Sequence, residues 1–308
     1  MAPMIEVDHL TKTYGSTRGI SDIAFQVEEG EVFGFLGPNG AGKTTTIRVL
    51  LALLRASSGQ ARIAGMDVWQ QSLAIKRMIG YLPGELALDP ALTGGQILSY
   101  LGQLRGGVDS AYLTDLIARL DFDPNRRFRH YSTGNKRKLG LIQAMMHRPR
   151  LLVLDEPTSG LDPLHQQVFE QLVRESHAAG TTIFLSSHIL SEVEQTCSRV
   201  GIIREGALVR IGSVAELKAI KHREVTIQFA EPVPAAIFAS LPTVESVAAQ
   251  ADGHGLRLVV HGTLDAIVKT AAQYPIVTIS SHEPSLEEAF LHYYAGDEAH
   301  APEASHVV

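Results

Sequence analysis

One segment of the chain has glycines, a lysine and a hydroxyl residue at a spacing suited to holding phosphate groups. Residues 37–44 read GPNGAGKT, which fits the pattern G-x-x-x-x-G-K-[ST]. The segment follows a strand pattern and opens a helix pattern, so backbone N–H groups and the helix N-terminus can point at an anion. Lys43 is placed to reach the terminal phosphates, and the Thr44 hydroxyl is suited to binding Mg²⁺. The spacing therefore predicts a nucleotide site.

Two carboxylates follow a second apolar segment. Residues 151–154 read LLVL, and Asp155 and Glu156 come directly after them. A strand of this kind is buried on both faces, and it would hold Asp155 beside the phosphate loop to bind Mg²⁺ directly or through water. Because side chains alternate along a strand, we expect Glu156 to point to the opposite side. There it is suited to orienting and deprotonating a water molecule as a general base.

A histidine stands in a similar place after a third apolar segment. Residues 181–185 read TTIFL, and Ser187 and His188 follow. At this strand end His188 could contact the γ-phosphate of a bound nucleotide, although a single histidine here is usually a partly exposed polar group. The residues by themselves leave both interpretations open.

The elements that must position these residues alternate between strands and helices over about the first 220 residues. Strand patterns cover residues 5–10, 23–27, 32–36, 151–154 and 181–185, and helix patterns cover residues 43–54 and 163–179. Alternation of this kind predicts a mostly parallel sheet covered by helices.

The last 85 or so residues follow another order. Strand patterns cover residues 225–229, 244–249, 256–260 and 276–279, and helix patterns cover residues 234–241 and 263–272. The resulting order, β-α-β-β-α-β, is typical of a small ferredoxin-like domain. A further helix is predicted from Ser285, with Glu288 completing a capping box. The small and polar residues 296–308 are predicted to form a flexible tail.

Composition narrows the class of protein. The 308 residues are 45% hydrophobic, as in packed globular proteins, and no apolar run approaches the roughly 18 residues of a membrane-spanning helix. Met1 to Asp8 show no secretory signal pattern. The net charge of −6 argues against a nucleic-acid partner. Cys197 is the only cysteine, which favours a reducing cytosol.

Taken together, the motifs resemble those of the ATP-binding cassette (ABC) family, in particular the ATP-binding subunits of ABC transporters, over about residues 5–217. Residues 37–45 match Walker A, residues 151–156 match Walker B, and residues 131–135, YSTGN, stand at the family signature. The resemblance implies that the nucleotide-binding residues are Tyr14, Gly37, Pro38, Asn39, Gly40, Ala41, Gly42, Lys43, Thr44, Thr45, Glu85, Ser132, Gly134, Asn135 and Asp162, that the catalytic residues are Lys43, Glu156 and His188, and that the Mg²⁺ ligands are Thr44 and Asp155.

Two positions depart from the family pattern. The signature has Thr133 in place of a glycine and Asn135 in place of glutamine, and a threonine would be strained if the backbone there needs a positive φ. After residues 80–83, GYLP, the family's glutamine is replaced by Gly84, and Glu85 comes next. Glu85 is the candidate for that glutamine's contact with Mg²⁺, provided that Gly84 lets the backbone shift.

The resemblance also implies an architecture. The expected fold is α/β: a P-loop NTPase cassette with a mostly parallel sheet and helices, an antiparallel β subdomain and a helical subdomain at about residues 86–150, followed by a small α+β ferredoxin-like domain. The implied divisions are an ATP-binding domain at 1–221, an accessory or dimerisation domain at 222–295, and a flexible tail at 296–308.

As to function, the resemblance implies an ATPase whose two copies sandwich two ATP molecules with Mg²⁺. Its other partner would be a separate transmembrane permease, which holds the chain at the cytoplasmic face of the membrane. The stretches GYLPGE and YSTGN resemble those of drug and antibiotic exporters of the daunorubicin-resistance type. An importer ATPase and a regulatory cassette protein with weak hydrolysis are the alternatives.

Overall fold

The computed structural model describes residues 3–15, 17–218, 223–250, 253–282 and 287. The chain divides into two compact units, Met1–Val214 and Ala215–Val308. The predicted boundary after residue 221 lies outside the described residues. So do the tail at 296–308 and, apart from Glu287, the helix predicted from Ser285.

The first unit contains alternating strands and helices. Its strands are β1 (Ile5–Tyr14), β2 (Thr17–Val27), β3 (Val32–Leu36), β4 (Ser58–Ile63), β5 (Met66–Asp67), β6 (Ile79–Leu82), β7 (Leu151–Asp155), β8 (Thr182–Ser187), β9 (Arg199–Arg204) and β10 (Ala207–Ser213). The helices that begin in it are α1 (Lys43–Leu50), α2 (Ser72–Met78), α3 (Gly94–Leu104), α4 (Ser110–Arg119), α5 (Thr133–Met145), α6 (Pro163–Ala178), α7 (Leu190–Thr196) and α8 (Val214–Lys218). None of the helices in the described part of the chain is long and apolar enough to cross a bilayer.

The strands form two sheets. Six strands lie in the order β10-β9-β3-β8-β7-β6, and all neighbours are parallel except β10 and β9. Four strands lie in the order β2-β1-β4-β5 and are antiparallel. The mostly parallel sheet and the antiparallel β subdomain are thereby confirmed. Helices α3, α4 and α5 occupy the segment in which the helical subdomain is expected.

Aromatic residues pack the two sheets together. Phe25 of β2 lies against Phe33 and Phe35 of β3 and Phe184 of β8, with ring centroids 5.5–5.9 Å apart. Rings at this separation bury much apolar area, and Phe33, Phe35 and Phe184 are completely buried. The strands that carry the candidate site are therefore fixed by a dense core.

Register brings the candidate residues to one edge of the parallel sheet. Leu36, the last residue of β3, pairs with Ser187 of β8, and Asp155, the last residue of β7, pairs with Ser186. Because these neighbouring strands are parallel and their ends are level, the segments that follow them leave the sheet side by side.

In its described residues, the second unit has a four-stranded antiparallel sheet and, after α8, two further helices. Its elements are β11 (Arg223–Phe229), α9 (Ala235–Ala239), β12 (Val244–Ala249), β13 (Gly255–Val260), α10 (Asp265–Ala271) and β14 (Ile276–His282). The strands lie in the order β12-β13-β11-β14. Val225, Ile227 and Phe229 alternate into its core, as their period of two predicts. The order of elements is the β-α-β-β-α-β order expected from the sequence.

Candidate nucleotide site

The glycine-rich loop joins β3 to α1. Gly42, just before the helix, has φ +110°, a left-handed conformation that other residues rarely adopt. At Gly37 a Cβ atom would lie 2.4 Å from the carbonyl oxygen of Ile203, so only glycine fits there. The positive φ at Gly42 and the close approach at Gly37 explain why the loop needs glycine at both positions. They give the loop the shape predicted from residues 37–44.

Lys43 lies at the centre of this loop. Its side chain is almost completely buried, and Nζ donates to the carbonyl oxygens of Gly37 at 2.6 Å and Pro38 at 3.2 Å. The same nitrogen lies 3.1 Å from Oε1 of Glu156. The loop thus holds a buried positive charge among backbone groups, an arrangement that favours an anion such as phosphate.

The Thr44 hydroxyl and the Asp155 carboxylate lie together beside the loop. Thr44 Oγ1 donates to Asp155 Oδ2 at 2.9 Å, and Ser186 Oγ donates to the other carboxylate oxygen at 2.5 Å. Asp155 is completely buried. A hydroxyl and a carboxylate are ligands that Mg²⁺ accepts, with its other ligands taken from phosphate and water. The described residues contain no cluster of three or more His, Cys, Asp or Glu side chains that could hold a metal by themselves.

Glu156 does not point away from the phosphate loop, so the expectation from strand alternation is wrong. Strand β7 ends at Asp155, and Glu156 has φ +51°, which ends the alternation. The turn brings Oε1 toward Lys43 Nζ and Oε2 to 2.6 Å from His188 Nδ1. A positive φ is unfavourable for glutamate, and a hydrogen bond from its N–H to Ser186 O at 3.0 Å helps to hold it.

One oxygen of Glu156 is available for chemistry. Oε1 is buried and accepts no hydrogen bond of good geometry, although it is close to Lys43 Nζ. A buried acceptor in this state can take a proton or a hydrogen bond from a water molecule beside the phosphate loop. The imidazole of His188 fixes the other oxygen. This geometry favours His188 as part of the site over an isolated polar histidine.

A cleft of about 250 Å³ lies over the loop. It is lined by Tyr14, Gly19, Pro38, Asn39, Gly40, Gly42, Lys43, Thr44, Thr45 and Glu156. Tyr14 is half exposed at the mouth of the cleft, where a base can stack on its ring. Gly19 was missed by the sequence analysis: a Cβ there would lie 2.7 Å from the Tyr14 ring. Gly19 lies outside the strand patterns read from the sequence, and only the structure places it in β2.

The signature residues lie outside this cleft in the described part of the chain. Ser132 caps helix α5 by accepting a hydrogen bond from the N–H of Asn135 at 3.2 Å. Thr133 is the first residue of α5 and does not have a positive φ, so the strain considered for it does not arise. A Cβ on Gly134 would lie 2.8 Å from the carbonyl oxygen of Gly160, which explains glycine at this position.

Two further predicted residues also lie away from the cleft lining. Asp162 caps α6 and accepts hydrogen bonds from the His165 N–H at 3.1 Å and from Nδ1 at 2.7 Å. Glu85 is exposed. Its neighbour Gly84 lies closer to Asp155, since a Cβ there would be 3.2 Å from Asp155 Oδ2. A role for Glu85 in binding Mg²⁺ stays a prediction.

A buried acid supports the segment that carries His188, and it also escaped the sequence analysis. The Ser187 hydroxyl donates to Glu192 and accepts a hydrogen bond from the Ile189 N–H at 3.0 Å. Burial raises the pKa of Glu192 to about 7, although its hydrogen bonds act in the opposite direction. A carboxyl that stays protonated near neutral pH can pack here without the full penalty of a buried charge.

The raised pKa of Glu192 predicts how stability depends on pH. The folded protein keeps this proton up to about pH 7, whereas the unfolded chain loses it near pH 4.5, so the free energy of unfolding falls as pH rises between these values. Glu192→Gln should remove this dependence. Relative to the original chain, we expect the variant to gain up to about 3 kcal/mol at pH 8 and nothing near pH 4. Urea unfolding at both pH values measures the difference, and an equal effect at both would contradict it.

Comparisons with known proteins show which family the chain is similar to. The model of the ABC transporter family matches residues 20–159. A bacitracin transport ATP-binding protein of Enterococcus faecalis is 38% identical over 220 residues, 70% of this chain and 71% of that protein. A daunorubicin resistance ATP-binding protein of Streptomyces coeruleorubidus is 34% identical over 314 residues, 98% of each chain. The solved structure of an ATP-binding subunit of an ABC transporter has a TM-score of 0.65 at 28% identity, covering 70% of this chain and 92% of that one.

Proposed function

The chain belongs to the ATP-binding subunits of ABC transporters, and from this premise we propose that it hydrolyses ATP as a homodimer to export a drug or antibiotic through a separate membrane subunit. The observation that carries the proposal for hydrolysis is the position of Glu156 between Lys43 and His188 at the phosphate loop. A site that only bound nucleotide would not need a carboxylate held in a strained conformation there.

Each group at the cleft has a role that follows from its chemistry. The loop amides and Lys43 bind the phosphates, and the Tyr14 ring stacks on the base. Thr44 and Asp155 would hold Mg²⁺, which when bound would neutralise phosphate charge and make the phosphoryl group easier to attack. Glu156 orients water and accepts its proton, while the imidazole of His188 is positioned next to the γ-phosphate.

A second copy of the chain would complete the site. Ser132 at the N-terminus of α5, with Gly134 and Asn135, forms an anion-binding turn, yet it does not line its own chain's cleft. We therefore assign the turn to the γ-phosphate held by the other copy, with Asp162 near the junction. ATP then joins the two copies, and hydrolysis releases them.

An apolar groove on the first unit is suited to a partner's helix. It encloses about 420 Å³. The groove is lined by Leu51, Leu53, Lys76, Ile79, Tyr81, Pro83, Leu86, Leu88, Leu101, Arg105 and Gln143. It adjoins Gly84, which in turn approaches Asp155. A cytoplasmic helix of the membrane subunit bound here would hold the chain at the inner face of the membrane and would sense the state of the nucleotide.

Export is tested in cells. The chain is co-expressed in antibiotic-sensitive bacteria with a candidate membrane subunit taken from a neighbouring reading frame, and growth is measured with peptide, polyene and anthracycline antibiotics. We expect tolerance of at least one compound to rise with the original chain and not with its Glu156→Gln variant. Uptake of a solute that depends on Glu156 would favour an importer instead. ATP hydrolysis too weak to measure in the purified chain would favour a regulatory protein.

A further inference from the structure

Arg137 is a buried cation in helix α5, and only 7% of its surface is exposed. Its guanidinium donates to the carbonyl oxygens of Pro83 at 2.8 Å and Gly84 at 2.7 Å. It also donates to the carbonyl oxygens of Ser159 at 3.2 Å and Asp155 at 3.4 Å. One side chain therefore binds the segment after β6, the end of β7 and the segment that follows it.

These acceptors come from the parts of the chain that surround the magnesium and water sites. Asp155 binds the Thr44 hydroxyl, and a Cβ on Gly84 would lie 3.2 Å from the Asp155 carboxylate. Ser159 donates its N–H to the carbonyl oxygen of Glu156 at 3.2 Å. Arg137 therefore binds backbone groups that adjoin the carboxylates of Asp155 and Glu156.

The partners of the Arg137 guanidinium fix where the surrounding backbone must lie. These four hydrogen bonds of Arg137 all go to backbone carbonyl oxygens rather than to carboxylates. A buried cation is tolerated only when its donors are satisfied, and the planar fork of arginine fixes the directions of its partners. If one of the three segments moves, this buried guanidinium loses a carbonyl acceptor.

We propose that Arg137 is a positioning residue that ties residues 83–84, the end of β7 and residue 159 to helix α5, so that Asp155 and Glu156 are held in the arrangement needed for hydrolysis. It does not touch the nucleotide cleft. Its removal should therefore lower turnover and leave nucleotide affinity nearly unchanged. The consequence for turnover depends on the proposed ATPase function, whereas the ordering of residues 83–84 and of the segment around residue 159 does not.

The experiment compares Arg137→Met, Arg137→Lys and a control. Arg119→Met is the control, because Arg119 makes a two-pronged ion pair with Glu175 on helices away from the cleft. For each protein, kcat, KM and the Kd of MgATP are measured, together with amide hydrogen exchange in peptides covering residues 81–88 and 156–162. Arg137→Lys keeps the positive charge but loses the planar set of guanidinium donors. If Arg137→Met fails to fold, the Arg137→Lys variant is used instead.

We expect both Arg137 variants to lower kcat by about 10–100-fold, since small misplacement of catalytic groups has effects of this size. Kd should stay within about threefold, a change of well under 1.4 kcal/mol. Hydrogen exchange should speed up in the two peptides and not in the rest of the first unit. Arg119→Met should change none of these.

Three results would overturn the proposal. These are a kcat in Arg137→Lys equal to that of the original chain, parallel losses of kcat and nucleotide affinity, or faster exchange spread over the whole unit. An original chain and control that both lack ATPase activity would instead reject the proposed function. In that case the exchange data for residues 81–88 and 156–162 decide whether Arg137 orders these parts of the chain.

Discussion

Replacing Glu156 by glutamine is expected to lower the ATP turnover number by about 10²–10⁴-fold, the usual contribution of a general base. Glutamine has nearly the same shape but cannot accept a proton from water. Its amide can still lie between Lys43 and His188, where the carboxylate lies 3.1 Å and 2.6 Å from their nitrogens. Binding of MgATP should therefore persist, and the variant should accumulate as an ATP-bound dimer because the step that separates the copies is blocked. Phosphate release and size-exclusion chromatography with MgATP measure the two effects.

Glu29→Gln is the matched control for this substitution. Glu29 is a partly exposed carboxylate that pairs with Arg150 at 2.8 Å, and it does not line the cleft. The control should hydrolyse ATP at the same rate as the original chain, and it should not accumulate as an ATP-bound dimer. If Glu156→Gln turns ATP over at a rate close to that of the control, Glu156 is not the base.

The second large effect concerns Lys43. Lys43→Ala should weaken MgATP binding by about 10–100-fold, because a hydrogen bond to a charged group contributes about 1.5–3 kcal/mol. The ammonium group is held among the loop carbonyls by contacts of 2.6 Å and 3.2 Å, so little freedom is lost when phosphate binds. The substitution also leaves Glu156 without its cationic neighbour, which adds repulsion between this carboxylate and the phosphates. Isothermal titration with a slowly hydrolysed ATP analogue measures the affinity.

Lys269→Ala provides the comparison. Lys269 is an exposed lysine in the second unit whose partner, Asp265, lies 2.7 Å away on the same helix. Removing it takes away one positive charge without changing the phosphate loop, so its affinity for nucleotide should match that of the original chain. Equal affinities in the two variants would show that Lys43 does not bind phosphate.

The sequence predicted the positions of strands and helices well where local patterns were strong. The run at 151–154 became a buried strand, and the alternation of Val225, Ile227 and Phe229 became a sheet with one buried face. Ends were less accurate: β2 begins at Thr17 and α1 ends at Leu50, because the last turns of an element depend on contacts that local sequence does not specify.

Some site residues could not be found from their neighbours in sequence. Arg137 reads as one of three cations in KRK after the signature, and only packing against three distant segments makes it different from an exposed lysine or arginine. Gly19 matters because the Tyr14 ring lies against it. Glu192 reads as an ordinary helical acid, and its raised pKa arises from burial beside Ser187.

The sequence by itself determined the chemistry of this protein: a loop that must curl around phosphate, a lysine and a threonine at its end, and two carboxylates after a buried strand. Backbone sterics and residue chemistry are local properties, so a short motif can specify them. Tertiary structure decided where the groups point. The left-handed turn at Glu156 placed both carboxylates at the same loop. The tertiary structure also left the signature residues outside the cleft and joined three segments through Arg137. Those outcomes depend on contacts between residues far apart in the chain, which no local pattern encodes.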